Sequence, residues 1–271
     1  MNESNENPYH QLDHPLVTAR VFHPRGDYPM RPGDENRADV MIPVAENVLI
    51  GTSFHHLKNP EQARRAPVIL FFHGNGEIVS DYDDLGPVFT AMGVNLFVAD
   101  YRGYGQSTGV PCVSAMMADC HHILDFLSQW MIQNGYAGPI VVMGRSLGSA
   151  SAIELASRRS DDVAALIVES GFAYAGALLS KLGIDPEAVG FDERSGFGNL
   201  EKIARYQGPV LVIHAEFDHI IPFSDGQALF DASPGPKKNL LQIDGANHND
   251  IFMRGMDLYL KHVKAICLES S

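Results

Sequence analysis

Residues 140–158 read IVVMGRSLGSASAIELASR, and the fold follows from how that stretch is read. Residues 140–143 are a continuous apolar run, the pattern of a strand buried on both faces. Residues 147–158 carry helical spacing. Between them stands Gly144-Arg145-Ser146-Leu147-Gly148, a G-x-S-x-G motif. Its chemistry needs a serine on a sharp strand-to-helix turn, with the hydroxyl exposed and the next N–H aimed at the reacting oxygen. Gly144 and Gly148 leave room where such a turn crowds its own flanks. The motif recurs at Gly105-Gln106-Ser107-Thr108-Gly109, without that context. There the preceding strand ends near Asp100, Gly103 and Gly105 make a loop, and Gly109 with Pro111 bars an immediate helix. Ser146 is therefore the expected nucleophile and Ser107 a loop serine.

Working outward, similar apolar runs occur at 68–72, 95–99, 163–168, 210–213 and 240–243, and two shorter strands are expected at 39–44 and 48–55. Helical patterns fill 79–92, 114–134, 224–232 and 250–267. Strands and helices alternating in this way predict an α/β fold, a mostly parallel sheet with helices on both faces. Residues 1–37 are polar and rich in Pro, Asn and Asp, and read as a loosely tethered arm before a single domain over 38–271. The connection 172–208 is long and glycine-rich, which suggests a mobile lid or small cap segment over a site. Its apolar residues Phe172, Leu178, Leu182 and Phe191 are candidate pocket residues.

Composition excludes whole classes. The chain has 271 residues, 45% hydrophobic and 20% charged, enough to bury a full core. A net charge of −13 argues against nucleic acid and anionic membrane as partners. Three cysteines, an odd number, argue against a disulfide framework. The first twenty residues lack the apolar core of a signal peptide, and no apolar run is long enough to span a bilayer. The expectation is a soluble cytoplasmic protein, monomer or homodimer, acting on a small molecule.

Serine needs a base, and the base needs an orienting acid. The expected chain order is Ser, acid, His. His248 lies in Asp244-Gly245-Ala246-Asn247-His248-Asn249-Asp250, the loop after the last strand, and is the expected base; His219 is a rival, and His73 and His214 read as structural. Asp218, after the penultimate strand, is the expected acid, with Glu216 in the same loop and Glu169 one strand earlier as rivals. The oxyanion needs two preorganised N–H donors. Leu147 supplies one and the His73-Gly74-Asn75-Gly76 loop the other, assigned to Asn75 with Gly76 as fallback. Neither Gly74-x-Gly76 nor Gly103-x-Gly105 has glycine three residues on, so no dinucleotide fingerprint is present. The pairs His55-His56 and His121-His122 diverge in space and do not suggest a metal. No cofactor is implied.

Five stretches carry a family resemblance: PVILFFHGNGE (67–77), VADYRGYGQSTG (98–109), VVMGRSLGSASAIELA (141–156), PVLVIHAEFDHIIP (209–222) and IDGANHNDI (243–251). Together they resemble the landmarks of the α/β-hydrolase superfamily, closest to a small-capped subgroup of serine hydrolases that includes protein depalmitoylases. The resemblance implies an α/β-hydrolase fold with a small cap segment, Ser146, Asp218 and His248 as triad, and Asn75 and Leu147 as oxyanion donors. It implies a carboxylesterase or thioesterase working on a small ester or thioester. A serine peptidase or amidase, and a non-catalytic binding protein on the same scaffold, are the alternatives. Palmitoylated members carry a cysteine-rich N-terminus; this N-terminus has no cysteine, so no stable membrane anchor is expected. Ala215 stands where glycine often follows the strand histidine, which reshapes the acid loop.

Overall fold

Successive strand residues point to opposite faces of the sheet, and that alternation organises the molecule. A computed structural model describes residues 9–27, 33–193 and 196–269. Its strands are β1 (Arg37–Ala45), β2 (Val48–His55), β3 (Val68–Phe72), β4 (Asn95–Ala99), β5 (Ile140–Arg145), β6 (Ala165–Glu169), β7 (Val210–Ala215) and β8 (Lys238–Ile243). They form one eight-stranded sheet in the order β1-β2-β4-β3-β5-β6-β7-β8. β1 to β2 and β2 to β4 are antiparallel, and every other pairing is parallel. Along β3, Leu70 and Phe72 join one core cluster while Ile69 and Phe71 join another, so each face has its own apolar layer.

Helices supply both layers. They are α1 (Pro15–Val21), α2 (Pro60–Arg65), α3 (Gly86–Ala91), α4 (Val113–Gln133), α5 (Ser149–Arg158), α6 (Ala175–Lys181), α7 (Asn199–Ile203), α8 (Phe223–Ala232) and α9 (Ile251–Glu269). Residues from α4 and α5 pack with Leu70, Val142 and Val212; residues from α3 and α9 pack with Phe71, Met143 and Ile213. The strand order reverses at β3 and β5. Loops leaving neighbouring carboxyl ends there diverge, and the crevice between them is where a site belongs in an open α/β sheet.

Four expectations are corrected. The arm is not loose over its described part: Leu12, Val17, Val21 and Phe22 are buried, and α1 is capped by His14, whose ring accepts the Leu16 N–H at 3.2 Å. Its polar composition hides a Val17–Val21 pair at helical spacing. The rest of 1–37, at 1–8 and 28–32, lies outside the described residues. The expected helix 79–92 is a 3₁₀ turn (Val79–Tyr82) followed by α3, because Pro87 is tolerated only in a first helical turn. α9 is kinked at Gly255, where a Cβ would come within 2.7 Å of the Ile243 side chain. Finally, 172–208 is not one mobile lid. Phe172 and Phe197 are buried with ring centroids 5.0 Å apart, and Ile203 of α7 is fully buried beside α5. Among the described residues of 172–208, α6 and the turns after it remain cap-like.

Candidate active site

The elbow is built by exclusion of side chains. A Cβ on Gly144 would stand 2.2 Å from the Gly148 carbonyl, and one on Gly148 would stand 2.1 Å from the Phe72 carbonyl. With both positions bare, the backbone turns sharply, and Ser146 takes φ 51° at its apex. That left-handed conformation is costly for a non-glycine residue and is typical of functional positions. Ser107 does different work: its Oγ accepts the Gly51 N–H at 2.8 Å, stapling a loop to β2.

Three separate loops bring the expected triad together. Ser146 follows β5, Asp218 follows β7 and His248 follows β8. The Ser146 hydroxyl donates to His248 Nε2 at 3.1 Å, and His248 Nδ1–H donates to Asp218 Oδ2 at 2.7 Å. Asp218 Oδ1 accepts the Ile220 and Ile221 N–H groups at 3.0 and 2.8 Å. Burial works to raise the Asp218 carboxyl. The His248 hydrogen bond and charge and the two backbone donors outweigh it, holding the group below the ordinary aspartate value and ionised. The rivals are engaged elsewhere. Glu216 accepts the Gly245 N–H at 2.7 Å, Glu169 accepts the Tyr259 hydroxyl at 2.6 Å, and His219 is exposed.

His214 and His73 are structural, as expected. Buried His214 donates Nε2–H to the Ile221 carbonyl at 2.9 Å, closing the loop that carries Asp218, and burial depresses its pKa. His73 Nε2–H donates to Asp100 at 3.1 Å, pinning the loop after β3. That loop abuts the elbow, since a Cβ on Gly148 would come within 2.7 Å of the His73 carbonyl. Among the described residues, no protein acceptor takes the Leu147 or Asn75 N–H.

Sequence reasoning missed Arg145. Its guanidinium ties the end of β6 and the loops after β3 and β8 to one point, donating from Nε to Glu169 at 3.1 Å, from Nη1 to Glu77, and from Nη2 to the His248 carbonyl at 2.8 Å. Glu77 in turn accepts the Gly74 N–H at 2.8 Å and the Tyr82 hydroxyl at 2.6 Å. Burial opposes charge on Arg145, and the two glutamates outweigh it. An arginine inside the motif, with glutamates just past two strand ends, was the available signal; nothing in the sequence says that the three strand ends are neighbours.

The candidate pocket residues divide. Phe172 and Leu178 line an apolar cavity of about 60 Å³ between α6 and Ile220-Ile221-Pro222 of the acid loop. Leu182 and Phe191 do not line it. Leu182 ends α6 and packs on the core, and the Phe191 ring lies against Gly196 and Gly176, filling the space their missing side chains leave.

No group of three or more His, Cys, Asp or Glu among the described residues is placed to hold a metal ion, and no described helix is long and apolar enough to cross a membrane.

A family model described as serine aminopeptidase, S33, matches residues 63–182. Human alpha/beta hydrolase domain-containing protein 17B is 31% identical over 204 residues, covering 72% of this chain and 64% of the relative. Protein bem46 of Schizosaccharomyces pombe is 30% identical over 202 residues, covering 70% of this chain and 64% of the relative. The chain thus spans just under two thirds of the length of these relatives. Among solved structures, ferulic acid-bound Est1E from Butyrivibrio proteoclasticus superposes with TM-score 0.69 at 19% identity, over 85% of this chain and 98% of that one. The Pyrococcus furiosus esterase Pf2001 gives 0.67 at 18% identity, over 89% and 97%. Sheet order, elbow, strand-end loops and these likenesses agree, and the chain belongs to the α/β-hydrolase superfamily.

Proposed function

We infer that the protein is a serine hydrolase cleaving carboxylic esters or thioesters through an acyl-enzyme on Ser146. The observation carrying this is the unbroken path Ser146 Oγ, His248 Nε2, His248 Nδ1, Asp218 Oδ2 at 3.1 and 2.7 Å, with the serine at φ 51°. Ser146 Oγ attacks the acyl carbon as His248 Nε2 takes its proton. The carbonyl oxygen becomes an oxyanion facing the Leu147 and Asn75 N–H groups. His248 then gives the proton to the departing alcohol or thiol, leaving Ser146 acylated. Water, deprotonated by His248, attacks the acyl-enzyme and releases the acid. Asp218 fixes the imidazole tautomer and offsets its positive charge.

The family model's description favours a second reading, an aminopeptidase on the same triad. Recognition of a free amino terminus needs an uncommitted carboxylate at the site. Glu77 and Glu169 are both paired with Arg145, and Glu216 is capped by Gly245, so the ester reading stands ahead. We assign the acyl group to the apolar cavity of about 60 Å³ beside the acid loop, which limits it to short chains. Each buried methylene contributes about 0.8 kcal/mol, and that gain stops where the cavity ends. Catalytic efficiency on p-nitrophenyl esters from acetate to palmitate is expected to peak at short chains. A maximum at the longest chains overturns the small-pocket reading and favours a lipid thioesterase. Faster turnover of aminoacyl amides than of any ester or thioester overturns the ester reading.

A further inference from the structure

We propose that the N-terminal segment is part of the catalytic machinery, with His23 as the positioning residue that holds the oxyanion loop. The proposal rests on the reading of the Asn75 N–H as an oxyanion donor. Within Gly74-Asn75-Gly76 the flanks hold Gly74 alone: its carbonyl takes the Glu77 N–H at 3.3 Å and faces His73 Nδ1 at 2.9 Å, and its N–H goes to the Glu77 carboxylate at 2.8 Å, so Asn75 and Gly76 are left to be held from elsewhere. A backbone donor stabilises a developing charge only if it is already aimed when the charge appears. Something outside the loop must aim it.

His23 does so at two points. Its backbone N–H donates to Asn75 Oδ1 at 2.9 Å, and its ring Nδ1 accepts Asn75 Nδ2–H at 2.7 Å. The second lone pair of Oδ1 takes the Tyr104 hydroxyl at 2.7 Å. The carboxamide cannot flip without facing N–H against N–H, because the His23 backbone can only donate. Two residues on, Arg25 Nε donates to the Gly76 carbonyl at 2.7 Å, and its guanidinium pairs with Asp81. The Arg25 carbonyl accepts the Gly105 N–H at 2.9 Å, and Asp27 N–H donates to the Gly105 carbonyl at 3.2 Å. The segment is therefore wedged between the loops after β3 and β4. It is anchored upstream by the buried side chains Val17, Val21 and Phe22. The His23 side chain itself is exposed, so its ring contributes to the loop and not to the core.

The test measures kcat, KM and melting temperature for His23→Leu, His23→Asn, Asn75→Ala and the His23→Leu/Asn75→Ala pair, on one short-chain p-nitrophenyl ester. His23→Leu is expected to lower kcat about tenfold, a part of the 10²–10³ that complete loss of an oxyanion donor costs. KM and melting temperature stay near the parent's. His23→Asn, which keeps an acceptor at the δ position, recovers most of the loss. Asn75→Ala, which keeps the N–H but removes all three holds on the carboxamide, costs at least as much as His23→Leu, and the pair is no worse than Asn75→Ala alone. A normal kcat for His23→Leu beside an impaired Asn75→Ala overturns the role of the segment. An additive pair, or a kcat loss that tracks a fall in melting temperature, overturns it equally. If both single variants are normal while Ser146→Ala is dead, the loop needs no hold from the segment and the proposal falls, with the reading of the Asn75 N–H as donor left standing.

Discussion

Ser146 occupies a backbone conformation that costs an L-residue about 1–3 kcal/mol, and the surrounding turn imposes it. The strain places the hydroxyl at the apex, 3.1 Å from His248, where a relaxed turn would fold it back. Ser146→Ala is expected to lower turnover by roughly 10⁴ to 10⁶ on any substrate, while Ser107→Ala leaves turnover in place. Steady-state assays of the two variants check this, and a dead Ser107→Ala with a live Ser146→Ala reverses the choice of elbow. Ser146→Gly should be just as inactive, yet more stable than Ser146→Ala by about 1 kcal/mol, since glycine alone is at ease with positive φ. Chemical denaturation of the pair measures that difference. The residues of the candidate triad were legible one by one because each has a local signature: a glycine-flanked turn, or a polar loop just past an apolar strand. Arg145 was not, because its partners Glu77, Glu169 and His248 are distant in sequence and meet only at the sheet edge.

Among the elements, the strands were the most readable, since β3, β4 and β6 are buried at every position and so read as unbroken apolar runs. Helix ends and breaks were less so, because Pro87 and Gly255 act through neighbours: the first through the turn it can enter, the second through Ile243 on β8. The loops after β3, β5, β6 and β8 are joined at Arg145, which leads to a prediction at this scale. Arg145→Met strands the buried Glu169 carboxylate and the half-buried Glu77 and should destabilise the fold by about 3 kcal/mol in urea denaturation. Adding Glu77→Gln and Glu169→Gln should recover part of that loss, and no recovery would mean that Arg145 matters through packing alone. At the cap, Leu178→Ala enlarges the cavity beside Phe172 and should move the acyl-length optimum upward by one or more carbons. An unchanged chain-length profile would detach that cavity from the substrate.

For the molecule as a whole, the layer of helices opposite α9 is tied by a buried ion cluster. Glu154 of α5 pairs with Lys202 of α7 at 2.7 Å and with His121 of α4 at 3.4 Å. Burial works to raise the Glu154 carboxyl, and its hydrogen bonds and charge pairs with His121 and Lys202 overcome it, bringing it to about 2. A carboxyl depressed in the folded state adds stability above its unfolded value of 4.5 and loses it as pH falls toward about 2. Asp218 and Glu77 are depressed in the same sense. The melting temperature should therefore hold above about pH 5 and fall below it, with a shallower fall in Glu154→Gln. A pH-independent melting temperature down to pH 3 contradicts the assignment. Sequence by itself determined the alternation of strands and helices, the sharp turn at Ser146, and the order along the chain of the candidate nucleophile, acid and base, because strand pattern and turn chemistry are local properties. Only the tertiary structure decided that residues 23–27 lie against the loops after β3 and β4, that Ile203 of α7 joins the core, and that Arg145 links the ends of β5 and β6 to the loops after β3 and β8. Those outcomes depend on which sheet edge each loop reaches, and that is set by strand order, a property of the assembled sheet that no single segment encodes.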